Sequence, residues 1–369
     1  MKSLLLSGLF FCLLSCGSSS QKKNIKTSLV TPDTLTRYVS HITPKIGDTI
    51  SLIAVGDIMF GTNFPDESTL PPNDGKDLLK DFKEELQNAD VTFGNAEGVF
   101  LDAGGKAKGS GGNVYSFRQP RRYAQYFSDN GFDLLSVANN HVADFGETGI
   151  QSTIATLKAL PLYFAGLQKY PTTIITVRNI KIGMAAFAPN KGCVQMNNYA
   201  AAAASIRKLK EECDIVMVSF HGGAEGKNAT HVPKRTEIFF KQNRGNVYEF
   251  AHKIIDAGAD IVIGHGPHVP RAMELYKNKF IAYSLGNFCT YGMFNLKGVN
   301  GIAPLLKIYV TENGDFIKGK ITSIKQEGEG GPLYDRSYEA YNLIKKLTAA
   351  DIPNNRLKFI DELKEIVAQ

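Results

Sequence analysis

Short β-branched runs recur along this chain at residues 51–55, 90–93, 133–137, 173–177, 181–187, 214–220 and 260–263, with helical patterns between several of them. Runs of this length read as strands, and their alternation with helices predicts an α/β layout. The pair TIITVRN and IKIGMAAF predicts a hairpin turning at Arg178, Asn179 and Ile180. Residues 280–285, 301–310 and 316–324 read as further antiparallel strands. The expected architecture is therefore mixed, stacked β-sheets flanked by helices, not a single parallel sheet. After Gly330, YEAYNLIKKL and NRLKFIDELKEIV carry two helical patterns separated by Asp351, Ile352 and Pro353, which predicts a C-terminal helical cap.

Composition supports a folded body. With 369 residues, 43% hydrophobic and 21% charged, the chain has ample apolar material for a buried core, so disorder is not its default state. The net charge of +6 is modest and its Lys and Arg are dispersed. No nucleic-acid-binding module is expected.

The first residues carry an address. Lys2 precedes an apolar run over residues 4–14, which suits a signal peptide and is too short for the ~20 residues of a membrane span. The run ends in Leu13-Leu14-Ser15-Cys16-Gly17, which resembles a bacterial lipobox. That resemblance implies cleavage before Cys16 and acylation of its thiol; ordinary secretion with small-residue cleavage is the plainer alternative. Residues 16–48 are rich in Ser, Lys and Thr, include Pro32 and Pro44, and read as a tether. The expected organisation is a signal peptide over 1–15, the tether, a main domain over 49–326 and an extension over 327–369. The expected location is the cell envelope, with the chain held at a membrane through a lipid anchor. The remaining cysteines, Cys193, Cys213 and Cys289, are odd in number without paired spacing and read as buried thiols; a Cys213–Cys289 bridge is the one pairing left open.

Polar residues cluster where the strands end. Asp57 follows SLIAVG, Asn95 and Glu97 lie in GNAEGVF, and Asn139, Asn140 and His141 lie in SVANNHVADFG. His221 closes VMVSFHGG, and His265 and His268 lie in IVIGHGPH. Each has an everyday reading alone: an Asp after a strand often caps a helix, and a lone strand-end His is often just hydrogen-bonded. In an α/β sheet, however, strand carboxyl ends are where loops converge, so these groups can meet around one ion or substrate. The glycines and Pro267 of GHGPH form a tight turn able to aim both imidazoles at one point.

The order of these motifs is similar to that of the CapA-like capsule-biosynthesis family, named for poly-γ-glutamate capsule synthesis and related to the calcineurin-like metallophosphoesterases. GDIMFG, the Asn-x-Glu-Gly run, SVANNHVADFGETG, FHGGAE, GADIVIGHGPHVP and YSLGNF carry the resemblance, over about residues 51–288. It implies a metallophosphoesterase-like sandwich. It also implies that Asp57, Glu97 and His268 hold one metal, with Glu97 bridging to a second held by Asn140, His221 and His265. His141 is then the proton donor to a leaving group. Asn95, Asn139, Glu225 and Asn287 would line the same cleft. Mixed nitrogen and oxygen ligands favour one or two ions of Mn, Fe or Zn over Ca. Two departures bear on this: Met59 stands where the phosphoesterases usually have a histidine, so the first metal is expected to be loosely held. His265 and His268 are also three apart where the phosphoesterase pair is two apart. The implied activity is hydrolysis of a phosphoester, with a γ-glutamyl amide or another polymer bond as alternatives. The implied partners are a surface polymer or its precursor and membrane-bound polymer synthase components. A non-catalytic module binding polymer or synthase through the same cleft is the competing class.

Overall fold

The computed structural model describes residues 49–109 and 115–369. The expected signal peptide and tether, with Cys16, lie outside the described residues. The chain lays down half of one sheet, builds a second, and returns to finish the first.

The first sheet begins with β1 (Thr49–Met59) and its parallel neighbour β2 (Val91–Ala96). β3 (Leu134–Ser136) adds in parallel, helix α1 (Gly146–Lys158) follows, and β4 (Tyr163–Ala165) closes this side. Parallel neighbours need a crossover of this kind, because a tight turn cannot reverse the chain twice.

The second sheet opens with the hairpin of β5 (Thr172–Val177) and β6 (Ile180–Phe187). Its turn is one residue shorter than expected: Ile180 already pairs with Val177, and only Arg178 and Asn179, at φ 50° and 70°, make the reversal. Positive φ at both central residues matches the right-handed twist of a hairpin. Helix α2 (Tyr199–Glu212) leads to β7 (Ile215–His221), and helix α3 (Val247–Asp256) to β8 (Ile261–His265). Asn198 and Asn246 cap these helices, their side chains accepting the Ala201 and Glu249 amides. β9 (Met273–Tyr276) and β10 (Lys279–Ala282) complete the sheet, in the order β9-β10-β8-β7-β6-β5. β10 is antiparallel to β9 but parallel to β8, so the antiparallel expectation for this segment holds on one side only.

The chain then returns. β11 (Asn287–Thr290) pairs in parallel with the end of β1, and β12 (Ile302–Thr311) and β13 (Phe316–Gln326) form the expected antiparallel pair beside β1. β14 (Pro332–Tyr334) adds to β13, and helix α4 (Glu339–Asp351) packs against β9, β12 and β13.

Only the first half of the expected C-terminal helical cap is helical. YEAYNLIKKL forms α4, but NRLKFIDELKEIV forms a hairpin, β15 (Leu357–Ile360) and β16 (Glu365–Ala368). Leu357, Ile360, Leu363 and Val367 gave this segment helical spacing, yet β13 offers an open edge that β16 satisfies in antiparallel register. Ile366 packs over Gly319 on β13 and is fully buried. Residues 327–369 thus share a compact unit with the sandwich.

Strand alternation places the core. On β7, Ile215 and Met217 face the core between the sheets, whereas Val216, Val218 and Phe220 face α2 and α3. On β8, Ile261 and Ile263 face inward and Val262 outward. With a period of two, His221 and His265 fall on the inward side, above the inter-sheet core. Cys193, Cys213 and Cys289 are buried and free, so Cys213 and Cys289 are not bridged. No helix among the described residues is long and apolar enough to cross a membrane.

Candidate metal centre

The parallel strands end at one level. Asp57 on β1 stands in register with Asn95 on β2 and Asn287 on β11, and His265 on β8 with His221 on β7. The first row belongs to one sheet and the second to the other, so the cleft straddles both. Gly56 permits this: a Cβ there would lie 2.0 Å from the Gly286 carbonyl oxygen, where β1 and β11 approach. At Gly264 the same addition would lie 2.3 Å from the Tyr283 carbonyl oxygen.

Asp57 is the hub. Its Oδ1 accepts from Asn95 Nδ2 at 2.8 Å and meets His265 Nδ1 at 3.1 Å, while Oδ2 lies 3.0 Å from His268 Nδ1. The tight turn therefore does aim both imidazoles at one point, a carboxylate. His268 reaches it with φ 57°, a left-handed conformation that L-residues adopt at a cost. Its Nδ1 also meets Asn287 Oδ1 at 3.0 Å, and its Nε2 lies 3.7 Å from Glu97 Oε1. Asn139 braces the row, its Nδ2 donating to Asn95 Oδ1 at 3.2 Å and to the Ala96 carbonyl at 2.9 Å.

Electrostatics follow from burial. Burial works against ionising Asp57, yet hydrogen bonds from His265 and His268 outweigh it and hold the carboxyl well below the usual carboxylate range. Burial drives Glu97 well above that range, a rise that His268 opposes and Asp57 reinforces. For His268 burial favours the neutral ring, but Glu97 and the Asp57 hydrogen bond override it and lift its pKa to about 10. Burial, then the Arg244 charge, push His221 well below the ordinary imidazole value, which keeps it in the neutral form a metal ligand needs.

The donor set fits a divalent transition metal. Ligand atoms of Asp57, Glu97 and His268 all lie within 4.8 Å of one another. Both Glu97 oxygens, Asn140 Oδ1, both His221 ring nitrogens and His265 Nε2 are buried without a hydrogen-bond partner. Native interiors rarely leave so many polar atoms unsatisfied in one place without a ligand to take them. With Nδ1 of His265 directed to Asp57, its Nε2 keeps the lone pair that a metal would use. Met59 offers no help: it is buried, and its sulfur accepts the Gly61 amide at 3.1 Å.

His141 is positioned differently from these groups. Its Nδ1 meets Asp144 Oδ2 at 2.7 Å, leaving Nε2 directed toward Glu97 Oε1 at 3.7 Å. Asp144 is held in turn by Lys108 Nζ at 2.6 Å and by the Phe117 amide at 2.8 Å. The Phe117 ring stacks on His141 at 4.1 Å between centroids, and Phe294 stacks on Phe117 at 5.1 Å, walling the imidazole from water. Burial lowers the His141 pKa and the Asp144 charge opposes the fall. Glu225 lies on the loop after β7, where its Oε1 is 3.0 Å from Arg244 Nη2 and its charge acts on Glu97 and His268.

With this geometry in place, comparison with known proteins is decisive at the level of family. The sequence profile of the bacterial capsule synthesis protein PGA_cap matches residues 51–291. The chain belongs to the PGA_cap family. Among curated relatives of this PGA_cap chain, the capsule biosynthesis protein CapA of Bacillus anthracis is 26% identical over 321 residues, covering 81% of this chain and 73% of that protein. The PGA biosynthesis protein CapA of Bacillus subtilis is 27% identical over 329 residues, covering 83% and 80%. Among solved structures, a hypothetical protein from Thermus thermophilus is similar at TM-score 0.46 and 15% identity, covering 75% of this chain and 100% of that one. A calcineurin-like phosphoesterase from Bacillus subtilis is similar at TM-score 0.37 and 14% identity, covering 83% and 98%.

Sequence reading of this PGA_cap chain missed Asp144, Lys108, Phe117 and Arg244. Asp144 had a signal: it stands three residues after His141 inside SVANNHVADFG, a spacing that brings two side chains together in a tight turn. The others come from distant loops and leave no local pattern.

Proposed function

We propose that this protein is a metal-dependent hydrolase of the cell envelope, acting in the synthesis, export or attachment of a capsule or other surface polymer. A phosphoester is the bond the cleft suits best. One observation carries the reading: ligand atoms of Asp57, Glu97 and His268 gather beside an oriented Asp144–His141 pair, and Glu97, Asn140, His221 and His265 add buried atoms with no hydrogen-bond partner. Asp57, Glu97 and His268 would hold one ion, with Glu97, Asn140, His221 and His265 available to a second. A bound divalent ion supplies Lewis acidity toward a phosphoryl oxygen and acidifies a water. The residues do the rest. In the protonated ring, which the Asp144 charge favours against burial, Asp144 accepts from Nδ1 and the Nε2 proton would face the leaving oxygen and pass to it as the bond breaks, leaving the ring neutral. Phe117 and Phe294 keep bulk water from that proton.

The family and its relatives support the polymer context, and the partners follow from it: the polymer or its precursor, and membrane-bound components of its synthase. The lipobox-like run at Cys16 supports attachment to an envelope membrane through a lipid anchor. A second reading, a non-catalytic module binding polymer or synthase through the same cleft, draws on Met59, whose sulfur is committed to Gly61 and leaves the first ion a ligand short.

Metal analysis tests the proposal. Protein purified without chelator, or incubated with Mn or Zn, should carry one or two transition ions. Replacing both His221 and His265 by Ala should remove most of that metal. Wild-type protein that holds none and takes up none would sink the reading.

A further inference from the structure

Two arginines flank the loop after β7 in unequal surroundings. Arg271 is saturated: its Nε donates to the Ala229 carbonyl at 2.6 Å, its Nη1 and Nη2 grip Glu237 at 2.9 and 2.7 Å, and Nη2 also reaches the Ala224 carbonyl at 3.3 Å. Such an arginine is a strut. Arg244 is as deeply placed, at 1% exposure, but far less satisfied. Its Nε donates to the Gly223 carbonyl at 3.1 Å, whereas Nη2 makes no hydrogen bond and has only Glu225 Oε1 opposite it at 3.0 Å.

The two partners differ in freedom. Arg244 is pinned through its backbone, its carbonyl accepting the Gly223 amide at 2.9 Å and its amide donating to the Glu237 carbonyl at 2.9 Å. Glu225 is 18% exposed at its side chain and can swing into water. Both stand close to the metal-type cluster: Gly222 and Gly223 directly follow His221, the Arg244 charge acts on His221 and Glu97, and the Glu225 charge acts on Glu97 and His268. A fixed, buried, under-satisfied guanidinium facing a removable carboxylate has the form of an anion site holding an internal stand-in.

The geometry points to Arg244 as the anion-binding residue of the cleft, with Glu225 holding, in the free protein, the place that a carboxylate or phosphoryl oxygen of the substrate takes. This rests on the reading of the cleft as a substrate site, and it narrows the substrate to a molecule bearing such an oxyanion near the bond that is cut. A buried ion pair serving only the fold is the competing account, and the two predict opposite results at Glu225.

The test is calorimetric titration of the full, Mn-loaded chain with inorganic phosphate and, separately, with glutarate. Arg244→Gln should weaken binding of at least one probe by about tenfold or more, the worth of a charge-assisted hydrogen bond. Glu225→Gln should tighten binding of the same probe severalfold, because the internal competitor is gone. A response to phosphate alone assigns the place to a phosphoryl oxygen, to glutarate alone to a carboxylate, and to both to the oxyanion they share. If neither probe responds, or if Glu225→Gln weakens binding or leaves it unchanged, the inference is overturned. Should Arg244→Gln fail to fold, the direction of the Glu225→Gln effect decides by itself. Turnover is not read, so a protein that binds as expected without hydrolysing anything overturns only the hydrolase reading.

Discussion

His141 separates an enzyme from a binding module. Its ring is held on Nδ1 by Asp144 and lies 3.7 Å from Glu97 Oε1, so it can be changed without dismantling the candidate ligand cluster. General acid catalysis typically contributes ~10²–10⁴-fold, and His141→Asn should lower turnover by that range with metal content intact. If cells carrying His141→Asn assemble polymer normally while Glu97→Ala cells do not, the cleft binds and does not cut. His268 gives a second test at this scale, through pH. Its folded pKa is raised from 6.5 to about 10, so the protonated ring stabilises the metal-free fold fully below pH 6.5. That contribution is lost as pH climbs through about 10. A metal must displace this proton, so metal uptake should strengthen with rising pH over the same window. Melting curves of chelated and Mn-loaded protein at pH 6.5 and 9 should diverge, the chelated form losing stability and the loaded form gaining on it. Parallel curves would remove His268 from the ligand set.

At the scale of elements, the cleft is built by strands whose ends coincide, and the C-terminal hairpin shows how the rest of the fold competes for such edges. Residues 357–368 carry apolar groups at spacings that suit a helix, but a helix would have left the β13 edge unpaired. Pairing with β13 satisfies backbone groups and buries Ile366 against Gly319. Ile366→Ala should therefore destabilise the whole sandwich by roughly 2–5 kcal/mol, read from the denaturant midpoint. Metal content of the folded fraction should not change, since the β15–β16 hairpin lies at the sheet edge, with β13 and β12 between it and β1. A change of less than about 0.5 kcal/mol would mean that the hairpin is an appendage.

For the whole molecule the prediction concerns attachment. The apolar run at residues 4–14 is too short to span a bilayer and ends at a small residue before Cys16, and no helix among the described residues supplies a span. Cys16→Ala should release the protein from membranes or leave it unprocessed, with a shift in gel mobility. Unchanged fractionation and mobility would rule against lipidation. Several acyl chains on one cysteine hold a protein stably where one chain does not, so partial release on mild detergent-free washing is not expected of the wild type.

What the amino-acid order determined by itself is the α/β alternation, where each strand stops, and the supply of ligand-type residues there. These are local properties: a period of two puts His221 on the same face of its strand as Ile215 and Met217, and His265 on that of Ile261 and Ile263. The family resemblance was legible for the same reason, as ordered short motifs. Tertiary structure alone decided that Asp57 and His265, 208 positions apart, share a hydrogen bond, and that Asp144, Lys108 and Phe117 fix His141. It alone decided that Arg244 faces Glu225, and that residues 357–368 become strands. Contacts between distant segments depend on which edges and which buried charges remain unsatisfied once the sheets have formed, and no local pattern records that.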